Sequence, residues 1–134
     1  MVKYATFCNA PEAGAEGLIR YIDPDPEVIY TTKNWLNALA AAITESPGYV
    51  DDPQFPKDLR IMTSTMKVRY DYVFYVPIYG WNIVDDGRNK IDEDFRVRFD
   101  DNVMKLLLLS GVAFHAVPET TAWDRAKFVA DVVK

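Results

Sequence analysis

The stretch FCNAPEAGAEG, Phe7 to Gly17, joins an apolar run to a segment of helical character. A loop in that position holds phosphate when it follows the pattern G-x-x-x-x-G-K-[ST]. The glycines let backbone N–H groups cradle the oxygens, the lysine meets the β- and γ-phosphates, and the hydroxyl holds Mg²⁺. Asn9 to Glu16 has that length. Gly14 matches a glycine position, and Asn9 stands at the first one, where Asn tolerates a left-handed backbone. Ala15 fills the lysine position and Glu16 the hydroxyl position, with Glu12 inside the loop. A carboxylate about 4 Å from a phosphate repels it by about 1 kcal/mol per unit charge in water, and by more in a drier site. The spacing therefore has two readings: a phosphate loop stripped of its charge, or an ordinary strand-to-helix turn.

Other residues have the types for chemistry. Asp85 and Asp86 form an acidic pair suited to a cation or to a solvated loop. Arg88, Lys90, Arg96 and Arg98 form a basic cluster able to hold an anion, or to pair along a helix with Asp92, Asp94 and Asp100. Tyr79, Trp81 and Ile83 lie in a connecting segment; if exposed, they would anchor a protein partner. His115, between Phe114 and Ala116, reads as a strand residue rather than a base, and Cys8 as a small buried side chain. One cysteine and one histidine provide neither an internal disulfide nor a Cys/His zinc site.

The elements that must position these residues follow from periodicity. Lys3–Cys8, Val28–Thr31, Tyr72–Val76 and Val112–Val117 read as strands. YVFYV is nearly continuous in apolar residues, as in a parallel strand covered on both faces. Helices are predicted at Ala15–Ile22, Lys33–Thr44 and Pro56–Arg69, then from Asp92-Glu93-Asp94 to a stop at Gly111, and finally at Glu119–Val133. Their expected inward residues are Trp35, Leu36, Leu39 and Ile43; Leu59, Ile61, Met62 and Met66; Phe95, Phe99, Val103 and Leu107; and Trp123, Ala126, Phe128, Val129 and Val132. DPDPE and Ser46-Pro47-Gly48 are breaks. Strands alternate with helices and no hairpin signal occurs. This predicts a single α/β domain over residues 1–134, a three-layer sandwich with a mostly parallel sheet of about four strands.

Two longer segments resemble a known family. YDYVFYVPIYGWNIVDDGRNKIDEDFRVRFDDNV is similar to the strand, lid loop (D-D-G-x-R-x-x-D) and helix of the small AAA-type P-loop kinase-like ATPases related to nicotinamide riboside kinases, many of them phage-encoded. Asp85-Asp86-Gly87, Asp92, Phe95 and Arg96 fit that pattern. VIYTTKNWLNALAAAI resembles the family's strand followed by D-R-S-x-L-D-x-L-A, with Leu36, Leu39 and Ala40 fitting. The similar segments cover about half the chain, in the family's order. The departures fall on the charged groups. Besides Ala15 and Glu16, Thr32-Lys33-Asn34 stands for Asp-Arg-Ser, Asn37 for the second Asp, and Asn89 for the lid Arg, with Arg88 and Lys90 beside it.

Phosphoryl transfer depends on positioned positive charge, a metal and a group that orients the nucleophile. The resemblance thus implies a reduced P-loop kinase-like fold that has lost catalysis. It would bind another macromolecule, as a phage-encoded regulator or inhibitor of a host protein does. Asn9, Gly14, Ala15 and Glu16 form its degenerate phosphate loop; Asp85, Asp86, Arg88, Lys90 and Arg96 its remnant lid; Tyr79, Trp81 and Ile83 its partner-binding anchors. No metal or cofactor is expected. One alternative is an active nucleotide-binding protein or small-molecule kinase that uses ATP and Mg²⁺ through non-standard contacts. Another is a structural subunit of a larger assembly. A net charge of −5 disfavours nucleic acid. MVKYATFCNAP lacks the apolar stretch of a signal peptide, which points to the cytoplasm, the host's if the chain is phage-encoded.

Overall fold

The computed structural model describes residues 1–11, 14–78 and 93–134, with Glu16 as backbone only. Strands β1 (Lys3–Asn9), β2 (Val28–Thr31), β3 (Tyr72–Val76) and β4 (His115–Ala116) alternate with helices α1 (Ala15–Tyr21), α2 (Trp35–Glu45), α3 (Phe55–Arg69), α4 (Glu93–Ser110) and α5 (Ala122–Val133). A short 3₁₀ turn, Pro47–Asp51, separates α2 from α3. The four strands form one all-parallel sheet in the order β2-β1-β3-β4.

The sheet is the middle of three layers. Ala5 and Phe7 of β1 and Phe74 and Val76 of β3 face α1 and α5, where Leu18, Ala126 and Val129 are buried. Cys8, Val73 and Tyr75 face α2, α3 and α4, where Leu36, Ile43, Met62, Met66, Val103 and Leu106 are buried. A sheet buried on both faces explains why β1 and β3 read as near-continuous apolar runs. Each fully buried Leu, Met or Phe contributes roughly 1.5–3 kcal/mol of transfer free energy.

Side-chain caps set two helix starts later than periodicity alone predicts. Asn34 has extended backbone, and its side chain accepts a hydrogen bond from Asn37 N, so α2 begins at Trp35 rather than Lys33. Thr121 does the same for α5 through Asp124 N, and the helix begins at Ala122 rather than Glu119. Gly111 ends α4 with a left-handed φ of 67°, the conformation expected of a C′ glycine.

The predicted fourth strand, Val112–Val117, shrinks to two residues. Val112 N donates to the Ser110 hydroxyl at the helix end, and after Val117 the chain meets Pro118, which has no N–H to donate. The apolar signal there came from Val112 and Val117, which are buried although neither lies within the strand.

Three expected core residues lie outside the core. Trp35 is the first residue of α2, and the buried stripe starts one position later at Leu36. Ile61 precedes the buried Met62 on the outer side of α3. Trp123 is 66% exposed in the first turn of α5, where its ring meets Tyr21 edge to face.

Candidate functional site at the C-terminal end of the sheet

From β1 the chain crosses to β2 on one side of the sheet and later to β3 on the other. The helix after β1 packs on one face and the helix after β3 on the opposite face. The crevice beyond the carboxyl ends of β1 and β3 is therefore a topological switch point, where open α/β sheets bind ligands. A cleft of about 430 Å³ opens there, lined by Asn9, Pro11, Gly14, Ala15, Gly17, Thr32, Asn37 and Phe99. The lining includes no titratable side chain among the described residues.

The wall of the cleft is an amide lock. Asn37 Oδ1 accepts from Asn9 N at 2.9 Å, while its Nδ2 donates to Phe7 O at 3.0 Å and to Thr32 O at 2.9 Å. Asn34 Nδ2 donates to Phe7 O at 3.0 Å and to Thr6 Oγ1 at 2.8 Å, and Thr6 Oγ1 donates to Thr31 O at 2.9 Å. One connected network thus ties the ends of β1 and β2 to the first turn of α2. It does so at the two positions, Asn34 and Asn37, that depart from the resembled Ser and Asp.

Gly14 precedes α1 with φ 87°, a left-handed conformation that favours glycine. The methyl of Ala15 is buried against the α1/α5 core, so the position that would carry a lysine carries a packing contact. Sequence reasoning found no cation at this bend, yet the structure brings two. Arg96 of α4 is 4% exposed, and its Nε donates to Pro11 O at 3.2 Å. Arg125 of α5 is 3% exposed, and its Nη1 would lie 3.9 Å from a Cβ built on Gly14. Arg96 was in the expected lid set; Arg125 was missed. Its one available signal was a charged residue next to Ala126 at the start of the α5 apolar stripe.

The other lid residues, Asp85, Asp86, Arg88 and Lys90, fall outside the described residues, as do Asp92 and Asn89, the anchors Tyr79, Trp81 and Ile83, and Glu12. Arg98 forms the expected pair with Asp94 at 2.9 Å and also donates to Thr44 O, at the C-terminal turn of α2. Asp100 does something else. The Tyr75 hydroxyl lies 2.9 and 2.8 Å from its two carboxylate oxygens. Cys8 is fully buried, and burial pushes its thiol up beyond the range of a nucleophile at neutral pH. His115 stands exposed on the β4 edge with its ring tilted against Phe74.

No family model, curated protein or solved structure matches the chain. Among the described residues, no group of three His, Cys, Asp or Glu side chains is placed to hold a metal ion, and no helix is long and apolar enough to cross a membrane.

Asp100, outside the cleft lining, gives the fold a pH dependence of stability. Burial raises its carboxyl above the usual range, and the Tyr75 and Ile78 hydrogen bonds and Arg96 offset this only in part. The folded state then holds the proton more tightly than the unfolded chain. Stability from this group is fully present below the ordinary Asp pKa and is lost as pH rises through the higher folded value. Asp100→Asn removes that loss. In urea titrations the variant should gain on the wild type between pH 4 and pH 7; a constant difference across that range would contradict the assignment.

Proposed function

We propose that this chain is a catalytically inactive protein of P-loop kinase-like descent that acts by binding a protein partner. The observation that carries this reading is the amide lock. A phosphoryl-transfer site needs a carboxylate or hydroxyl free to hold a metal or orient a nucleophile. Asn37 is neutral, and its oxygen and both its N–H groups are engaged by the backbone of β1 and of residue 32. Asn34 is equally engaged: its Nδ2 donates to the Thr6 hydroxyl and to Phe7 O, and its Oδ1 accepts from Asn37 N. These side chains hold the cleft's shape and have no proton chemistry to contribute. Buried Ala15 in place of a lysine supports the same conclusion. By the resemblance, the partner would be a host protein met in the cytoplasm.

The purified chain should turn over neither ATP nor GTP with Mg²⁺, and millimolar nucleotide should leave its Tm unchanged. Robust Mg²⁺-dependent phosphoryl transfer would refute the proposal.

Arg96 and Arg125, buried behind the β1–α1 bend and outside the cleft lining, favour a second reading, in which a phosphate held at the bend is met by arginines rather than a loop lysine. A planar guanidinium is well suited to phosphate oxygens. The two readings part on calorimetry: saturable ATP binding that weakens in Arg125→Gln supports the second, and flat titrations support the first.

A further inference from the structure

The sheet ends on one side at β2, which has no neighbour on its outer side among the described residues. Its sequence, Val28-Ile29-Tyr30-Thr31, contains neither charge nor proline, the usual guards of an exposed edge. The opposite edge is guarded: β4 has two residues and is followed by Pro118 within two positions. At the β2 edge, Ile29 is 47% exposed beside its β1 register partner Tyr4, itself 43% exposed.

The backbone direction is fixed by two contacts. Lys3 N donates to Glu27 O, and the Thr6 hydroxyl donates to Thr31 O, so residues 27 and 31 turn their carbonyls toward β1. Strand alternation then directs the N–H and C=O of Tyr30, and the C=O of Val28, out from the open edge.

The charges flanking this strand are asymmetric. Asp23, Asp25 and Glu27 precede it and Lys33 follows it, all exposed. We infer that the β2 edge pairs antiparallel with the β2 edge of a second copy of this chain, extending the sheet to eight strands across a twofold axis. With Tyr30 opposite Tyr30 of the second copy, Glu27 faces Lys33 of that copy, and the axis repeats the pair. Antiparallel pairing brings each acidic flank onto a lysine, whereas parallel pairing would stack the acids on each other. This self-complementarity selects a second copy as the occupant. Two main-chain hydrogen bonds exchanged at Tyr30, two ion pairs and the covered Ile29 side chains hold the contact.

One short strand covers less than the ~1,200–2,000 Å² of stable complexes, so the dimer is reversible, with a dissociation constant on the order of micromolar or weaker. Sedimentation of the full chain from micromolar to millimolar concentration tests this. The expected result is a monomer–dimer equilibrium that weakens as salt rises. Lys33→Glu should raise the dissociation constant about tenfold or more, because each Glu27 then meets a carboxylate. Glu27→Lys combined with Lys33→Glu should bring it back to within about threefold of the wild type. Both positions are exposed, so neither change touches the core. A chain that stays monomeric throughout, as it would if the edge served a different protein, overturns the inference. So does a dimer indifferent to Lys33→Glu, or one the double reversal fails to restore.

Discussion

Asn37→Asp should destabilise the fold by about 1–3 kcal/mol and bring no activity. The substitution restores the acid found in the resembled family and changes side-chain size hardly at all, so packing is not the issue. The new carboxylate keeps the acceptor for Asn9 N but loses both donors. Phe7 O and Thr32 O, now bonded at 3.0 and 2.9 Å, would each face a carboxylate oxygen instead. Phe7 O keeps its second donor, Asn34 Nδ2, but Thr32 O loses its side-chain donor, and leaving such a part-buried acceptor without its donor costs about 1–3 kcal/mol. At low pH the protonated acid regains one donor. The folded state therefore favours the proton, and the penalty grows as pH rises past the ordinary Asp range. Urea denaturation at pH 4 and pH 7 would show the loss and its pH dependence. A variant as stable as the wild type would mean that the amide lock does not hold the cleft. New Mg²⁺-dependent turnover would mean that the scaffold needed only that one charge, against the proposed function.

Part of this arrangement is legible in the amino-acid sequence. The α/β class and the parallel sheet followed from YVFYV and VIYT alternating with helical stripes, and the three layers followed from strands apolar on both faces. Local signals also placed the core of α2 and α4: Leu36, Leu39 and Ile43, then Phe99, Val103 and Leu107, are all buried. Tryptophans misled because hydrophobicity says a side chain prefers burial, not whether its position on the helix faces the sheet. Trp35 and Trp123 sit at helix starts, just ahead of the stripe.

The cations at the β1–α1 bend were invisible for a different reason. A loop lysine lies within the motif and can be sought there. Arg96 reaches Pro11 across 85 residues, and Arg125 arrives from the last helix. Which distant arginine meets a loop is decided by how α4 and α5 dock on opposite faces of the sheet, and no local pattern encodes that. The bend thus carries positive charge of a different origin from the one its spacing predicts, and for that reason the nucleotide titration is the measurement that separates the two functional readings.

The largest stability loss should come from Phe7→Ala, at about 3–5 kcal/mol. Phe7 is fully buried at the centre of an aromatic row that crosses all four strands on the α1/α5 face. Its ring stacks on Tyr30 of β2 at 6.1 Å and on Phe74 of β3 at 5.5 Å, and Phe74 in turn meets His115 of β4 at 5.7 Å. Truncation removes the transfer free energy, leaves a cavity between two layers, and breaks both ring contacts, each worth about 0.5–1.5 kcal/mol beyond area. A domain of this size has only about 5–15 kcal/mol in total, so the variant should melt at least about 10 °C lower. Phe7→Leu keeps most of the volume and loses the ring contacts, so it should cost clearly less, roughly 1–3 kcal/mol. Combined with Phe74→Leu it should be non-additive, because the two changes share one contact. Trp123→Ala, at the larger but exposed residue, loses only the edge contact with Tyr21 and should cost about 0.5–1.5 kcal/mol. Thermal and urea denaturation of these four variants and of Phe74→Leu alone would test this order and the coupling; Phe7→Ala and Trp123→Ala of equal cost would show that the row does not bind the strands together.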